Sequence, residues 1–191
     1  KAGIKQKIHE LLEGIDYENT QQLEEIAQEI REMIVNSPLP KEIQEEILES
    51  YETLGASELG SESSSALDVL RKTSEPIFVA VRSSATAEDL ADASFAGQQD
   101  SFVNVKGNQE LLKNIKKCFA SLFTALATYY RHKKGFKHES VSLAVVVQKM
   151  VDSDKSGVIF SKDPSFKDEN VVIEAVWGLG EGIVSGRITP D

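Results

Sequence analysis

Residues 78–105 read FVAVRSSATAEDLADASFAGQQDSFVNV, and the fold turns on how the two ends of that stretch are read. Residues 77–81 form a short apolar, β-branched run behind Pro76, which predicts a buried strand. Arg82 stands where the run ends. A guanidinium is a permanent cation with a planar fork of donors, suited to bidentate contact with polyphosphate. Ser83, Ser84 and Thr86 add hydroxyls behind it. Residues 87–97 are mostly small, so backbone can approach a ligand closely and present N–H groups to an anion. Glu88, Asp89 and Asp92 punctuate this loop. Two readings stand: an anion-binding loop, or a polar connection from strand to helix with Ser84 or Thr86 as N-cap and Glu88 in the first turn.

Outward from this stretch, residues 99–105 alternate enough to predict a second strand. Asn108 is the expected N-cap of one long helix. Its apolar face is Leu111, Leu112, Ile115, Phe119, Leu122, Phe123, Leu126 and Tyr130, and Gly135 ends it. Residues 142–151 read as another strand, joined by a polar turn at 152–157 to residues 158–160, which predicts a hairpin. Residues 171–176 supply a further strand, closing on Gly178, Gly180 and Gly182. That glycine series lacks both the terminal lysine of a P-loop and the helix of a dinucleotide fingerprint. Upstream, Leu23, Ile26, Ile30, Met33 and Ile34 recur at helical spacing. Ile43, Ile47, Leu48 and Tyr51 do so after Pro40, a good first-turn residue. Residues 60–65 (GSESSS) read as a mobile connector. A helical layer followed by mixed strands and a long helix predicts an α+β fold with a largely antiparallel sheet. The expected division is an acidic helical region at 1–75 and an α+β lobe at 76–191.

The net charge of −10 is unevenly placed. Residues 1–75 hold 17 acidic and 7 basic side chains, whereas residues 76–191 hold 14 of each. The excess acid reads as a solvated helical face, and it argues against a nucleic-acid partner, which calls for clustered Lys and Arg. The clusters Lys113, Lys116, Lys117 and Lys133, Lys134 are expected on one helix, facing water. No run of about 18 apolar residues suggests a membrane span, and the opening KAGIKQKIHELLEG has no secretory pattern. The single cysteine, Cys118, sits in an apolar helical pattern and reads as a buried thiol in a cytoplasmic protein. His9, His132 and His138 show no metal-ligand spacing, and Asp152 and Asp154 read as a solvated turn pair.

The string 81–89 (VRSSATAED), followed by 93–99 (ASFAGQQ), closely resembles the nucleotide-binding domain of the phosphoenolpyruvate synthase and pyruvate phosphate dikinase family. Segments 118–130 (CFASLFTALATYY), 145–151 (VVVQKMV), 156–164 (SGVIFSKDP) and 177–191 (WGLGEGIVSGRITPD) resemble the same family in the same order. The resemblance implies an ATP-grasp type of domain in which ATP lies between two α+β lobes. It implies a phosphate contact for Arg82 and nucleotide contacts for Gly97 and Ser101. It places Gln148 near adenine on the segment linking the lobes, with Met150 and Val151 as contacts of the base. The family often carries Thr where this chain has Ser101, and the hydroxyl is kept.

The resemblance further implies a parent enzyme that converts ATP, pyruvate and water to phosphoenolpyruvate, AMP and phosphate through a phosphohistidine. The family's glycine-rich segment with its phosphate-binding lysine, its acidic Mg2+ ligands, its carrier histidine and its pyruvate-binding barrel have no counterpart among these residues. The expectation is therefore a fragment of a larger enzyme, catalytically silent alone, with no catalytic or metal-binding residue within it. The alternatives are the same domain from another dikinase, such as an antibiotic phosphotransferase, and a fold fragment without measurable ATP affinity.

Overall fold

Three helices open the chain: α1 (Ala2–Glu13), α2 (Thr20–Asn36) and α3 (Lys41–Ala56). The structure, a computed structural model, describes residues 2–56, 76–86, 89–90, 93–94, 100–138, 141–163 and 170–189. The anticipated connector at 60–65 lies outside them. The helix α1 was not anticipated, although Leu12 and Ile15 pack with Leu23 and Ile30 of α2 in one apolar cluster. Asn19 starts α2 as its N-cap, its side-chain oxygen accepting from Gln22 N–H at 3.1 Å. Pro40 stands one place before α3 rather than inside it, and its carbonyl accepts the Gln44 N–H.

The strand predicted at 77–81 is β1 (Phe78–Ala85), and it runs past the arginine. Arg82 is therefore mid-strand, not at a strand end. Among the described residues no helix follows directly: a short ladder pairs β2 (Asp89–Leu90) with β3 (Ala93–Ser94). Thr86 is not an N-cap either, since its hydroxyl donates to Ser142 O at 3.3 Å and its backbone N–H donates to the same carbonyl at 2.9 Å. The remaining strands of this part are β4 (Ser101–Lys106) and β5 (Leu143–Lys149), which flank β1 antiparallel in the order β4-β1-β5.

One face of this sheet is covered by α4 (Asn108–Ser121). Val79, Val81 and Val105 meet Leu111, Ile115 and Cys118 there, with Tyr51 of α3 closing the end. Val79 and Val81 are fully buried, and each such side chain contributes roughly 1.5–3 kcal/mol through apolar burial. Tyr51 Oη donates to Ile77 O and accepts from Gly107 N–H, which staples α3 to the sheet. Cys118 is buried as expected, and burial, followed by the nearby Asp100 carboxylate, pushes its thiol up to about 11. Such a group is an inert packing element, not a nucleophile.

The long helix expected from Asn108 to Tyr130 is two helices. Gly107, at φ +85°, is the N-cap in place of Asn108. The chain breaks after Ser121, and Thr124 caps α5 (Ala125–Lys133) by accepting from Ala127 N–H at 3.2 Å. The two lysine clusters accordingly lie on different helices. Gly135, at φ +72°, ends α5 in a Schellman turn, with Phe136 N–H on Arg131 O and Gly135 N–H on His132 O.

The chain divides into two compact units, residues 1–150 and 151–191. The second unit contains β6 (Lys155–Phe160) paired antiparallel with β7 (Val172–Trp177), followed by the short α6 (Glu181–Val184). The anticipated hairpin between the 142–151 strand and residues 158–160 does not form: β5 pairs with β1 and β6 with β7. Gly157 permits the β6–β7 pairing, because a Cβ there would lie 2.7 Å from Glu174 O. Gly178 turns at φ +76° after β7, with its carbonyl accepting from the Ser153 and Ser156 hydroxyls. Both units are α+β in character, and the described residues give the mixed helix and antiparallel sheet expected.

Candidate functional site

Side chains alternate along a strand, and directly paired residues share a face. The odd-numbered residues Val79 and Val81 of β1 point to α4, so Ala80, Arg82 and Ser84 take the outer face. On β5 the register Val81↔Val147 and Arg82↔Val146 sends Val145 and Val147 into the core. Ala144, Val146 and Gln148 therefore stand on the outer face beside Arg82. All three are solvent-exposed.

Strand β4 reaches the same face by an irregular route. Its partners on β1 are Val79↔Val105, then Val81↔Phe102, so β4 carries one extra residue between them. Asn104 absorbs it at φ +58°, a left-handed conformation that Asn tolerates far better than β-branched residues. Strict alternation from the buried Val105 would turn Ser101 toward the helix. The bulge reverses the parity, so Phe102 packs against the core and Ser101 lands opposite Arg82.

The outcome is a row across the sheet, Ser101–Arg82–Val146, with Ala80 and Gln148 in the next row. Arg82 Nη1 donates to Gln148 Oε1 at 3.2 Å. This diagonal bond holds the guanidinium over the sheet, and among the described residues its other N–H groups remain exposed. Val146, 46% exposed, gives the row an apolar floor. The arrangement combines a permanent cation, a hydroxyl, an amide and a flat apolar surface. It can receive an anionic group at Arg82 and Ser101, and a planar or apolar group along Val146.

The candidates named from sequence thus do not all gather in one place. Arg82, Ser101 and Gln148 share the outer face, and Gln148 lies within β5, not on a linking segment. Met150 follows β5 and is half-buried, its N–H donating to Phe78 O at 2.9 Å. Val151 opens the second unit with its side chain 74% exposed. Gly97 lies outside the described residues. Val146 was missed, although a valine paired with an exposed arginine is legible once strand register is known.

A family profile for the pyruvate phosphate dikinase AMP/ATP-binding domain matches residues 1–191. The chain belongs to this family. It is 51% identical over 191 residues to a probable phosphoenolpyruvate synthase of Archaeoglobus fulgidus, covering 100% of this chain and 23% of that protein. It is 48% identical over 195 residues to the phosphoenolpyruvate synthase of Helicobacter pylori, covering 100% of this chain and 22% of the relative. With the phosphoenolpyruvate synthase of Pyrococcus furiosus it shares 44% identity over 185 residues, 96% of this chain and 21% of the relative. The chain therefore spans about a fifth to a quarter of the length of these relatives. Membership of the pyruvate phosphate dikinase AMP/ATP-binding domain family supports ATP as the ligand of this polypeptide. No helix among the described residues is long and apolar enough to cross a membrane.

Proposed function

We propose that this chain is the ATP-binding portion of a phosphoenolpyruvate synthase and that the outer face of the β4-β1-β5 sheet forms part of its nucleotide site. The observation that carries this reading is the Arg82–Gln148 bond on an open sheet face, with Ser101 paired across from the same arginine. In the proposed site Arg82 neutralises phosphate charge and Ser101 donates its hydroxyl to a phosphate oxygen. Gln148 orients Arg82 and reaches the base, Met150 and Val151 contribute apolar contact to the base, and Gly97 admits phosphate to close backbone approach. An ATP-grasp type of fold is the finer assignment we attach to the same reading, supported by the mixed helix and antiparallel sheet.

For the whole protein we propose the phosphorylation of pyruvate to phosphoenolpyruvate with ATP and water, giving AMP and phosphate through a phosphohistidine in a cytoplasmic enzyme of gluconeogenic metabolism. Support comes from the names of the relatives and from identity along the full chain. ATP is expected to arrive with Mg2+. Among the described residues no three His, Cys, Asp or Glu side chains gather to hold a metal ion.

Calorimetric titration of the chain with ATP, with and without Mg2+, tests the site. The expected result is saturable binding that Arg82→Ala weakens by about tenfold or more, the scale of a lost charge-assisted hydrogen bond. Binding that is identical in Arg82→Ala, or absent at millimolar ATP, would overturn the assignment of this face.

A further inference from the structure

The break between α4 and α5 leaves the Leu122 carbonyl without a helical partner, and a buried arginine fills that place. Arg131 is fully buried, and its Nη1 donates to Leu122 O at 2.6 Å, its Nη2 to Thr128 Oγ1 at 3.3 Å and its Nε to His138 Nδ1 at 3.2 Å. A guanidinium only donates, so Nδ1 of His138 must accept, and the proton of the neutral ring must sit on Nε2. That Nε2 lies 2.8 Å from Tyr17 Oη. Tyr17 Oη therefore accepts from the ring and donates its own proton to Leu12 O, 3.4 Å away. The hydrogen bonds run one way, from α5 through His138 and Tyr17 to the last turn of α1.

We propose that Arg131, His138 and Tyr17 form an acid-labile clasp that holds the α1 end of the helical layer onto α5 and opens when His138 takes up a proton. A protonated ring would present an Nδ1–H donor to the Arg131 Nε–H donor and set two cations side by side. The surroundings oppose that state. Burial, then Arg131, then His132 depress the ring to about 4 from its ordinary 6.5, and His132 is itself stacked on Tyr17 at 3.7 Å. A cavity of about 760 Å³ beside the ring brings Lys5, His9 and Glu13 of α1 and Lys137 toward it. Glu13 is engaged by His9 at 3.2 Å, and Glu139 lies outside the described residues. Because the folded ring titrates below the unfolded one, the clasp contributes stability that is complete above 6.5 and is lost as the pH falls through about 4.

Amide exchange of the full chain, expressed as protection factors near pH 7 and near pH 5, reads the clasp. Protection in α1 and at Tyr17 is expected to fall on the order of tenfold relative to β1 and β5. His138→Gln keeps an acceptor toward Arg131 and a donor toward Tyr17 but takes no proton, so its α1 protection should not depend on acid. His132→Gln should keep the parent's response. Equal loss in α1 and β1, an acid response surviving in His138→Gln, or one abolished by His132→Gln would overturn the proposal. Should His138→Gln fail to fold, the ring titration of His138 in the unsubstituted chain decides: a midpoint well below 6.5 is expected, and one at or above it overturns the clasp.

Discussion

Arg82 and Arg131 sit in the same compact unit, and the two regions around them use the same side chain for opposite ends. Arg131 is enclosed, and its acceptors among the described residues are a carbonyl, a hydroxyl and an imidazole within its own helical neighbourhood. Arg82 is exposed on a sheet face with Gln148 as its side-chain acceptor among the described residues. The first arginine is committed to holding backbone together where a helix breaks. The second, among the described residues, gives one donor to Gln148 and holds the rest of its guanidinium exposed. The difference lies in the elements that carry them: Arg131 is on the buried face of its helix, whereas the sheet, covered by α4 on one face, leaves Arg82 exposed on the other among the described residues.

Substitution should separate the two regions sharply. Arg131→Met leaves the Leu122 carbonyl and the His138 ring nitrogen without their donor in a buried place, and should destabilise the chain by about 3–5 kcal/mol in urea denaturation. Arg82→Ala should leave stability within about 0.5 kcal/mol of the parent, while costing about 1.5–3 kcal/mol of ATP binding. Comparable losses of stability from the two would break the contrast. Asn104→Val forces a β-branched residue into a left-handed conformation and should cost about 1–3 kcal/mol of stability. It should also weaken ATP binding by displacing Ser101, whereas Asn104→Gly should retain both. Ser101→Ala, which removes one hydroxyl from the exposed face, should cost the least, about 0.5–1.5 kcal/mol of binding, with an unchanged urea midpoint.

What the sequence disclosed follows the same division. The strand under Arg82 and the segment around Gln148 are local, apolar and β-branched, so both strands were legible; Arg82 stood out by its charge at the end of its run, whereas Gln148 was named only through the family resemblance. That Ser101 shares a face with Arg82 was not, because alternation counted from Val105 points it the other way and only the Asn104 bulge corrects it. The break after Ser121 was hidden for a related reason. The apolar spacing continues through it, and the cap at Thr124 competes with helix continuation by a single side-chain bond. The pairing of β6 with β7 in place of β5 is a choice between strands of similar character, which periodicity cannot rank. The clasp was least legible of all: Tyr17 and His138 lie 121 positions apart, and a lone arginine or histidine near a helix end reads as solvated until its neighbours are known.

The outer face of the β4-β1-β5 sheet as the nucleotide face is the central claim, and backbone amide shifts of the chain on addition of ATP test it most directly. Shifts clustered at Arg82, Ser101 and Gln148, diminished in Arg82→Ala and absent around Arg131, are the predicted result. Shifts confined to other surfaces, or none at millimolar ATP, would contradict it.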